Sequence, residues 1–554
     1  MSSKFERILT GPALAINNFL DKTPKIYNVY FVACISTIAG MMFGFDISSM
    51  SAFIGTDSYM NYFDSPGADM QGFITSSMPL GSFFGAILSS FVSEPFGRRI
   101  SLLACAFFWM VGAAVQSSSQ NRAQLIIGRI ISGVGVGFGS SVATIYGAEL
   151  APRKVRGFIG GMFQFAVTLG IMIMFYISYG LGQINGQASF RIAWGIQIVP
   201  GLLLFFGVML IPESPRWLAK QGQWEKAEFI VSKVQAKGDR EAPEVLIEIS
   251  EIKDQILIEE SAKSTSYATL FTKKYIKRTF TACFAQIWQQ LTGMNVMMYY
   301  IVYLFMMAGK TGNTNLVASS IQYVLNTVCT IPALFVVDRI GRRPLLMGGA
   351  IFMMIFQFGL AGILGAHAVP WPDSPNPTVT IKIPEDNKSA SHGAIACAYL
   401  FVVGFASTWG VTTWVWVAEA WGDNRIAQRG NSLATAANWI MNFAIAMYTP
   451  SGFKSISWKT YIIYGVFCLC MLIHVYVGFP ETRGKRLEEI GQMWDENVPA
   501  WRSASWQPTV PLASDAELAR KMSVEHKENG LIEQDTHSKE GDLMGQDTQS
   551  EEKV

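Results

Sequence analysis

Twelve long apolar runs alternate with shorter polar segments along this chain. Most of the runs reach the length of about 20 residues that a membrane-spanning helix requires, and charged residues are rare within them. Several runs are rich in glycine and serine, which allow helices to pack closely in lipid. The pattern predicts an all-α membrane protein with twelve transmembrane helices. The runs lie near residues 27–52, 71–92, 101–118, 123–147, 157–182, 191–211, 279–307, 316–337, 346–366, 393–418, 430–450 and 460–479.

A long polar segment separates the first six runs from the last six, which predicts a two-part architecture. Within this segment charged and apolar residues alternate in a way that is typical of short amphipathic helices. The end of the chain is rich in serine, glutamate and lysine and poor in aromatic residues, so we expect it to be largely disordered. The predicted divisions are an N-terminal segment over 1–26, a six-helix bundle over 27–211, a polar loop over 212–277, a second six-helix bundle over 278–479 and a C-terminal tail over 480–554.

The composition excludes several classes of protein. Of the 554 residues, 50% are hydrophobic and 15% are charged, against about 25% charged in an ordinary soluble domain. A net charge of +2 argues against a protein that binds nucleic acid through a basic surface. The sequence has no Walker loop, no dinucleotide fingerprint and no hydrolase motif in a suitable context, and its cysteines lack metal-ligand spacing. We therefore expect neither an enzyme nor a protein that carries a metal or another cofactor.

Lysine and arginine are unevenly distributed among the short loops, and this predicts the orientation of the chain. Loops after even-numbered runs carry basic clusters such as Arg98 with Arg99, whereas most loops after odd-numbered runs carry fewer basic residues. The positive-inside rule then places both termini and the polar loop in the cytoplasm. The loop near 367–392 faces outside, and its sequon makes Asn387 a glycosylation candidate. Chance sequons are common, so the use of this site stays open.

Three short charged motifs recur in the same order at matching ends of the two groups of runs. Such repetition indicates a duplicated six-helix unit, with a substrate site at the interface of the halves near mid-membrane. The charged side chains can form ion pairs between helices, or they can simply anchor the topology. The residues are Glu94, Arg98 and Arg99 with Asp338, Arg342 and Arg343; Glu149 and Arg156 with Glu419 and Arg429; and Glu213 and Arg216 with Glu481 and Arg483.

Two charged residues interrupt the apolar runs, Asp46 in the first run and Arg129 in the fourth. A charge inside a membrane costs several kcal/mol unless it is paired or hydrated, so both residues are functional candidates. Both lie about 9 Å below the predicted outer surface, which permits a salt bridge between them. One interpretation is a permanent ion pair. In the other, protonation of Asp46 from outside breaks the pair, frees the first helix and lets a proton enter with a substrate.

The motifs PESPR and PETRG, together with both GRR loops, make residues 27–495 resemble the sugar-porter branch of the major facilitator superfamily. Within that branch, the segment from Phe43 to Asp46 is most similar to the fungal high-affinity glucose transporters. The resemblance implies a multi-pass plasma-membrane protein, expected to be a monomer, that moves a hexose such as glucose by alternating access. In this family the motif ion pairs are held to lock the outward-facing state, which implies a gating role for the charged motif residues.

The resemblance also bears on proton coupling. Proton-coupled sugar porters carry an acid and an arginine at the positions of Asp46 and Arg129, which favours proton symport. Some fungal facilitators that resemble this chain keep the acid as well, so an uncoupled hexose facilitator stays open. A non-transporting sugar sensor is a third alternative, and the short segment after residue 480 argues against it.

Polar side chains within the apolar runs form a candidate sugar site. A sugar needs amide side chains, which both donate and accept hydrogen bonds, and aromatic rings against its C–H face. The seventh run supplies amides one helical turn apart, and Gly293 allows its helix to unwind beside a ligand. For any single amide, a hydrogen bond between helices is the alternative. The resemblance implies sugar contact for all the candidates except Gln286, Tyr299 and Asn438. The candidates are Gln286, Gln289, Gln290, Asn295 and Tyr299 in the seventh run and Gln164, Asn326, Trp414, Asn438 and Asn442 elsewhere.

Overall fold

The structure is a computed structural model that describes residues 12, 14–54, 56–152, 155–184, 186–261, 266–310, 312–374, 376, 378–422, 424–485 and 487–508. The regular secondary structure of these residues consists of helices and two short antiparallel strands, Val369–Pro370 and Ile381–Lys382. Ten of the helices described are long and apolar enough to cross a membrane. Most of the apolar runs in the sequence therefore correspond to helices that are long enough to span a membrane.

The first half contains six spans, and polar side chains mark where some of them begin. The Asn28 side chain accepts hydrogen bonds from two backbone N–H groups at the start of the first span, and the Asn121 side chain accepts one at the start of the fourth. A short helix, Asp57–Tyr62, connects the first two spans. The spans, in order, are Val29–Phe53, Ala68–Phe96, Arg98–Ser117, Arg122–Leu150, Arg156–Leu181, and the pair Ala188–Ile196 and Ile198–Leu210.

The second half repeats this arrangement with two interrupted spans. The seventh span breaks at Gly293 and again at Tyr300, and the tenth breaks at Thr408. The spans, in order, are Ile276–Leu291 with Met294–Tyr299 and Ile301–Met307, then Gly312–Ile340, Arg342–His367, Lys388–Ser407 with Trp409–Glu419, Asn424–Ile456, and Lys459–Gly478.

The seventh and eleventh spans complete the set of twelve. Neither is among the ten helices that qualify by length and apolar composition. The seventh is divided into pieces that are each shorter than a membrane is thick, and the eleventh carries asparagines and threonines along its length. These two spans also hold most of the predicted amide cluster. The predicted all-α fold with twelve helices in two related halves is confirmed.

Contacts divide the described chain into two compact units. One unit contains all twelve spans and lies within residues 1–214 and 264–507. The other includes the helices Pro215–Lys220, Trp224–Gln235 and Pro243–Ser261 of the polar loop. The beginning of the predicted tail is ordered as the helix Leu487–Asp495 and the 3-10 turn Ala500–Arg502. The tail beyond residue 508 lies outside the described residues, and its disorder stays a prediction.

Glycine sets the geometry of the two GRR loops. Gly97 and Gly341 have φ values of +92° and +104°, which residues with a Cβ atom rarely adopt. A Cβ atom on Gly97 would lie 2.5 Å from a carboxylate oxygen of Glu213, and one on Gly341 would lie 2.8 Å from the equivalent oxygen of Glu481. Glycine therefore allows each chain reversal and the close approach of an acid. We call the end of the bundle that carries these loops the motif end and the other end the opposite end.

Candidate functional site

Asp46 and Arg129 form the predicted salt bridge, and both side chains are fully buried. The two carboxylate oxygens of Asp46 accept hydrogen bonds of 3.0 and 2.9 Å from the two terminal guanidinium nitrogens of Arg129. This bidentate geometry is the strongest arrangement available to an arginine and a carboxylate. The pair joins the first and fourth spans inside the first half.

The second span holds Arg129 in place through its backbone. The Nε atom of Arg129 donates to the carbonyl of Ile74 at 2.8 Å, and a terminal nitrogen donates to the carbonyl of Thr75 at 3.1 Å. Pro79, four residues after Thr75, lies inside this helix and has no N–H group to donate to that carbonyl. The proline therefore leaves a backbone acceptor free inside the membrane, and the buried arginine uses it.

A cavity between the two halves gathers seven of the ten predicted sugar-binding residues. Its walls are formed by two spans of the first half, the first and the fifth, and by four of the second half, the seventh, eighth, tenth and eleventh. Its polar walls are opposed by apolar side chains, which is the mixture that a sugar ring requires. The predicted residues that line it are Gln164, Gln289, Gln290, Asn295, Asn326, Trp414 and Asn438.

Asn438 is the centre of a buried amide network. Its Nδ2 atom donates to the side-chain oxygens of Gln286 and Gln289 at 2.7 and 2.9 Å. Its Oδ1 atom accepts from Gln290 Nε2 at 2.8 Å, and Gln290 Oε1 in turn accepts from Asn295 Nδ2 at 2.6 Å. Each amide therefore fixes the orientation of the next, because donors and acceptors must alternate along the chain of hydrogen bonds.

Gln286, Tyr299 and Asn442, the other three predicted residues, are buried but do not line the cavity. Gln286 lies behind Asn438 and supports it through the hydrogen bond given above. The side chains of Tyr299 and Asn442 interact with each other. Within the described part of the chain, Asn326 Oδ1, which belongs to the cavity wall, has no hydrogen-bond partner. Buried polar atoms without partners are costly, and those near the cavity suit a polar ligand or water.

Contacts across the cavity join the two halves at mid-membrane. Trp414 Nε1 donates to Gln164 Oε1 at 3.2 Å, and the Trp414 ring meets Phe163 edge-on with centroids 5.1 Å apart. Apolar side chains complete the walls, including Phe43 and Phe405. The sequence interpretation omitted these two from the site because an aromatic residue inside an apolar run carries no distinguishing signal.

At the motif end, the first half forms a compact charged cluster. Arg98 pairs with Glu149 through two hydrogen bonds of 3.0 and 2.6 Å. The Glu213 carboxylate accepts from the backbone N–H groups of Arg98, Arg99 and Ser214. Burial raises the pKa of Glu213, although these donors and the nearby arginines act in the opposite direction. Arg99 extends the cluster to Asp21 of the N-terminal segment at 2.7 Å, a partner that the repeat could not indicate.

The second half reproduces this cluster almost atom for atom. Arg342 pairs with Glu419 at 3.0 and 2.7 Å, and Glu481 accepts from the backbone N–H groups of Arg342 and Arg343. Arg483 also donates its backbone N–H to Glu481. Asp338 adds a second ion pair to Arg342 at 2.9 Å. The first-half counterpart of Asp338, Glu94, takes a different partner.

Glu94 and Arg429 form an ion pair of 2.6 Å that connects the second span to the eleventh. Nearby, Gln428 donates to Ser93 at 2.9 Å, and Ser89 and Ser432 are hydrogen-bonded at 3.2 Å. These contacts cross between the halves and close the motif end. Of the other predicted gating residues, Arg216 pairs with Glu248 at 3.4 Å within the polar-loop unit, and the side chain of Arg156 lies outside the described residues.

The halves also meet at the opposite end. The Tyr303 hydroxyl donates to Gln71 Oε1 at 2.8 Å, and Ser51 is hydrogen-bonded to the Tyr323 hydroxyl at 3.1 Å. Contacts between the halves therefore lie on both sides of the cavity. At this end Asn387 caps the helix Lys388–Ser407 by accepting from the Ala390 N–H at 3.1 Å. Nothing in this geometry tests its glycosylation, which stays a prediction.

Comparisons with known proteins agree with this architecture. A family model described as "Sugar (and other) transporter" matches residues 32–494. The chain is 78% identical to the high-affinity glucose transporter 1 of Candida albicans over 97% of its length and 99% of that protein, and 53% identical to a high-affinity glucose transporter of Kluyveromyces lactis over 90% and 91%. The solved proton:xylose symporter XylE bound to 6-bromo-6-deoxy-D-glucose superposes with a TM-score of 0.70 at 25% identity, covering 84% of this chain and 99% of that one. The chain belongs to the sugar transporter family of the major facilitator superfamily.

Proposed function

We propose that this protein carries a hexose, most specifically glucose, across the plasma membrane by alternating access. The observation that carries the proposal is the amide-lined cavity between two related halves that contact each other on both sides of it. A cavity that is closed on both sides suits the occluded state of alternating access. In that state the sugar is reached from neither face of the membrane. The printed names of two relatives, both high-affinity glucose transporters, support the same substrate.

The chemistry of the cavity favours a sugar over an ion or a lipid. Its polar groups are neutral amides and an indole N–H, which can match the alternating donors and acceptors of hydroxyl groups. Phe43, Phe405 and Trp414 supply apolar surface for the C–H face of a pyranose ring. The unpartnered Oδ1 atom of Asn326 gives the wall a free acceptor for a hydroxyl.

Proton symport is the finer part of the proposal. Phe43 and Ile47 line the cavity on the first span, and Asp46 lies between them on the side that faces Arg129. Protonation of Asp46 removes the bidentate charge interaction, while Arg129 keeps its two hydrogen bonds to second-span carbonyls. The first span would then be free to move, while Arg129 still has backbone carbonyls as hydrogen-bond acceptors. The solved structure that superposes on this chain is named a proton:xylose symporter, which supports the inference.

The charged clusters of the motif end are assigned to gating on the cytoplasmic face. The excess of basic residues in these loops supports that orientation and cytoplasmic termini. Within each half, the arginine clusters keep the helix ends together. The Glu94–Arg429 pair is different because it joins the halves and must separate when the cavity opens toward the cytoplasm. An uncoupled hexose facilitator remains the alternative function, with the same cavity and gates but no dependence on protons.

Uptake of labelled glucose by cells that lack their own hexose carriers tests transport and coupling together. We expect concentrative uptake that a protonophore collapses. The Asp46→Asn variant should lose accumulation by about tenfold or more, because a neutral side chain cannot release and bind a proton, while exchange of glucose across the membrane persists. The matched control is Asp64→Asn, since Asp64 is an exposed acid at the opposite end of the bundle.

The outcomes separate the alternatives. Accumulation that survives both the protonophore and the Asp46→Asn change contradicts symport, whereas downhill uptake without accumulation in the unmodified protein identifies a facilitator. Binding of glucose without any uptake contradicts transport and identifies a sensor. A panel of unlabelled hexoses and pentoses, competing with glucose, tests the choice of sugar.

A further inference from the structure

A basic pocket lies at the motif end, where the seventh span begins, about two helical turns before the first amide of the cluster. It is lined by residues that include Lys273, Lys274, Lys277, Arg278, Trp494 and Asp495. The three lysines are exposed, whereas Arg278 is buried at the base. Four cationic side chains therefore surround a single carboxylate, and the pocket has an excess of positive charge.

The carboxylate in the pocket is already engaged by two of these cations. Asp495 pairs with Arg278 at 3.0 Å and with Lys274 at 3.7 Å. In the described part of the chain, neither Lys273 nor Lys277 forms an ion pair with an acid. Two lysines thus remain to bind an anion, and Lys274 is held only at a long distance.

The base of the pocket is fixed by hydrogen bonds from several elements. Arg278 donates to the carbonyl of Trp421 at 2.6 Å, and Trp494 Nε1 donates to the carbonyl of Ala420 at 2.9 Å. The Arg278 guanidinium also lies over the rings of Tyr275 and Trp494, at 5.4 and 6.0 Å from their centroids. The seventh span, the end of the tenth span and the helix Leu487–Asp495 therefore build one preorganised site.

Apolar side chains lie beside the lysines and point to a lipid rather than a soluble anion. Ile276 and Phe280 are 37% and 51% exposed, and they share a face of the seventh span because they are four residues apart. Lys277 lies three residues before Phe280 in the same helix, which places the two residues on neighbouring parts of its surface. Phe271, which precedes the lysines, is 53% exposed. Charge above an exposed apolar stripe is the arrangement that suits a headgroup and its acyl chains.

We propose that this pocket binds an anionic phospholipid, with the headgroup phosphate held by Lys273, Lys274 and Lys277 and the acyl chains against Ile276 and Phe280. The predicted orientation places the pocket at the cytoplasmic leaflet, where phosphatidylserine and phosphatidylinositol lipids are concentrated. The proposal goes beyond sugar transport and does not depend on the amide cavity. A bound lipid would also contact the base of the seventh span, which carries the cavity amides at its other end.

Lipid binding to the purified full-length protein tests the proposal. The unmodified protein in detergent is titrated with phosphatidylserine and, separately, with phosphatidylcholine, and bound lipid is counted by native mass spectrometry. We expect a clear preference for phosphatidylserine. Because each lysine near an anionic surface contributes about a fivefold factor in affinity, K273Q/K274Q/K277Q should weaken phosphatidylserine binding on the order of 100-fold. The matched control is K388Q/K454Q/K459Q, which neutralises three exposed lysines at the opposite end.

The charge-retaining variant K273R/K274R/K277R should keep the preference, and it separates loss of charge from damage to the fold. Equal binding of the two lipids, or an equal loss of phosphatidylserine binding in both glutamine variants, overturns the proposal. Competition by soluble glycerophosphoserine at the same concentration as the lipid also overturns it, because the pocket would then bind a free phosphate ester without using the apolar stripe. Glucose uptake is measured in parallel, so that failure of lipid binding and failure of transport are distinguishable.

Discussion

At the scale of single residues, the amides of the cavity divide into those that support the network and those that remain available. Asn438 is hydrogen-bonded to three glutamines and has no polar atom to spare. Asn326 is different, because among the described residues its side chain makes only a weak contact of 3.8 Å, from Nδ2 to the Met298 sulfur. We therefore expect Asn438 and Asn326 to have different roles, although both are asparagines in the cavity wall. One holds the site together and the other is free to bind the sugar.

This difference predicts contrasting effects of two alanine substitutions. Asn438→Ala leaves buried polar atoms on Gln286, Gln289 and Gln290 without partners, at a cost of about 1–3 kcal/mol each. We expect a lower thermal unfolding temperature together with weaker glucose uptake. Asn326→Ala removes little from the folded protein and should leave its thermal stability unchanged, while raising the KM for glucose about tenfold through the loss of one hydrogen bond. Equal stability loss in both variants would contradict this division.

At the scale of elements, the seventh span is broken where it meets the cavity. Gly293 adopts φ of +87° and separates the helix that carries the glutamines from the one that carries Asn295. Gln357 and Thr292 stabilise this break, since Gln357 Nε2 donates to the Thr292 carbonyl at 3.1 Å. The break turns the end of one helix and the start of the next toward the cavity. It also provides a joint at which the outer part of the span can move.

Gly293→Ala should destabilise the break. A Cβ atom there would lie 2.8 Å from the Tyr464 ring, and the left-handed conformation itself costs about 1–2 kcal/mol for a residue other than glycine. We expect a lower unfolding temperature and a reduced maximal rate of uptake. The matched control is Gly362→Ala, because Gly362 lies inside a helix with no atom within 4 Å of an added Cβ. An equally harmful control substitution would contradict a special role for the break.

At the scale of the whole molecule, the contacts between halves differ from those within each half. The Arg98–Glu149 and Arg342–Glu419 pairs are largely buried and lie inside their own halves. The Glu94–Arg429 pair lies between the halves, and its side chains are 32% and 19% exposed. Partly exposed pairs add little to stability, so this one is suited to form and break during the transport cycle. The ion pairs within each half are therefore better protected from solvent than the pair that connects the two halves.

Charge reversal at this connection tests its role as a gate. Either Glu94→Arg or Arg429→Glu alone places like charges together and should favour the state open at the motif end, which increases labelling of a cysteine introduced into the cavity by a thiol reagent added from that side. The double variant restores opposite charges and should return labelling and glucose uptake toward the levels of the unmodified protein. Thermal stability should change little in all three variants. Labelling that is the same in the single and double variants would contradict the gating role.

The sequence was sufficient to predict the features that depend on local pattern or on symmetry. Run length and polarity gave the twelve spans, because a membrane imposes a length and an apolar surface on every helix that crosses it. Equal depth in the membrane predicted that Asp46 could reach Arg129, and the pair is present. The repeated motifs predicted two related charged clusters, and the mirrored contacts of Arg98 and Arg342 agree with this.

Only the tertiary structure decided which residues face one another. The rotation of each helix about its own axis separates Gln289 and Gln290, which line the cavity, from Gln286, which lies behind it, although all three fall within one and a half turns. Packing of the second span against the eleventh gives Glu94 a partner in the other half. The carboxylate of its counterpart Asp338 pairs with Arg342 in its own half and also lies against Gly157 of the first half. Sequence determines which side chains a helix carries. Long-range packing determines where they point, because burial of the whole surface, and not local preference, selects the rotation and partner of each span.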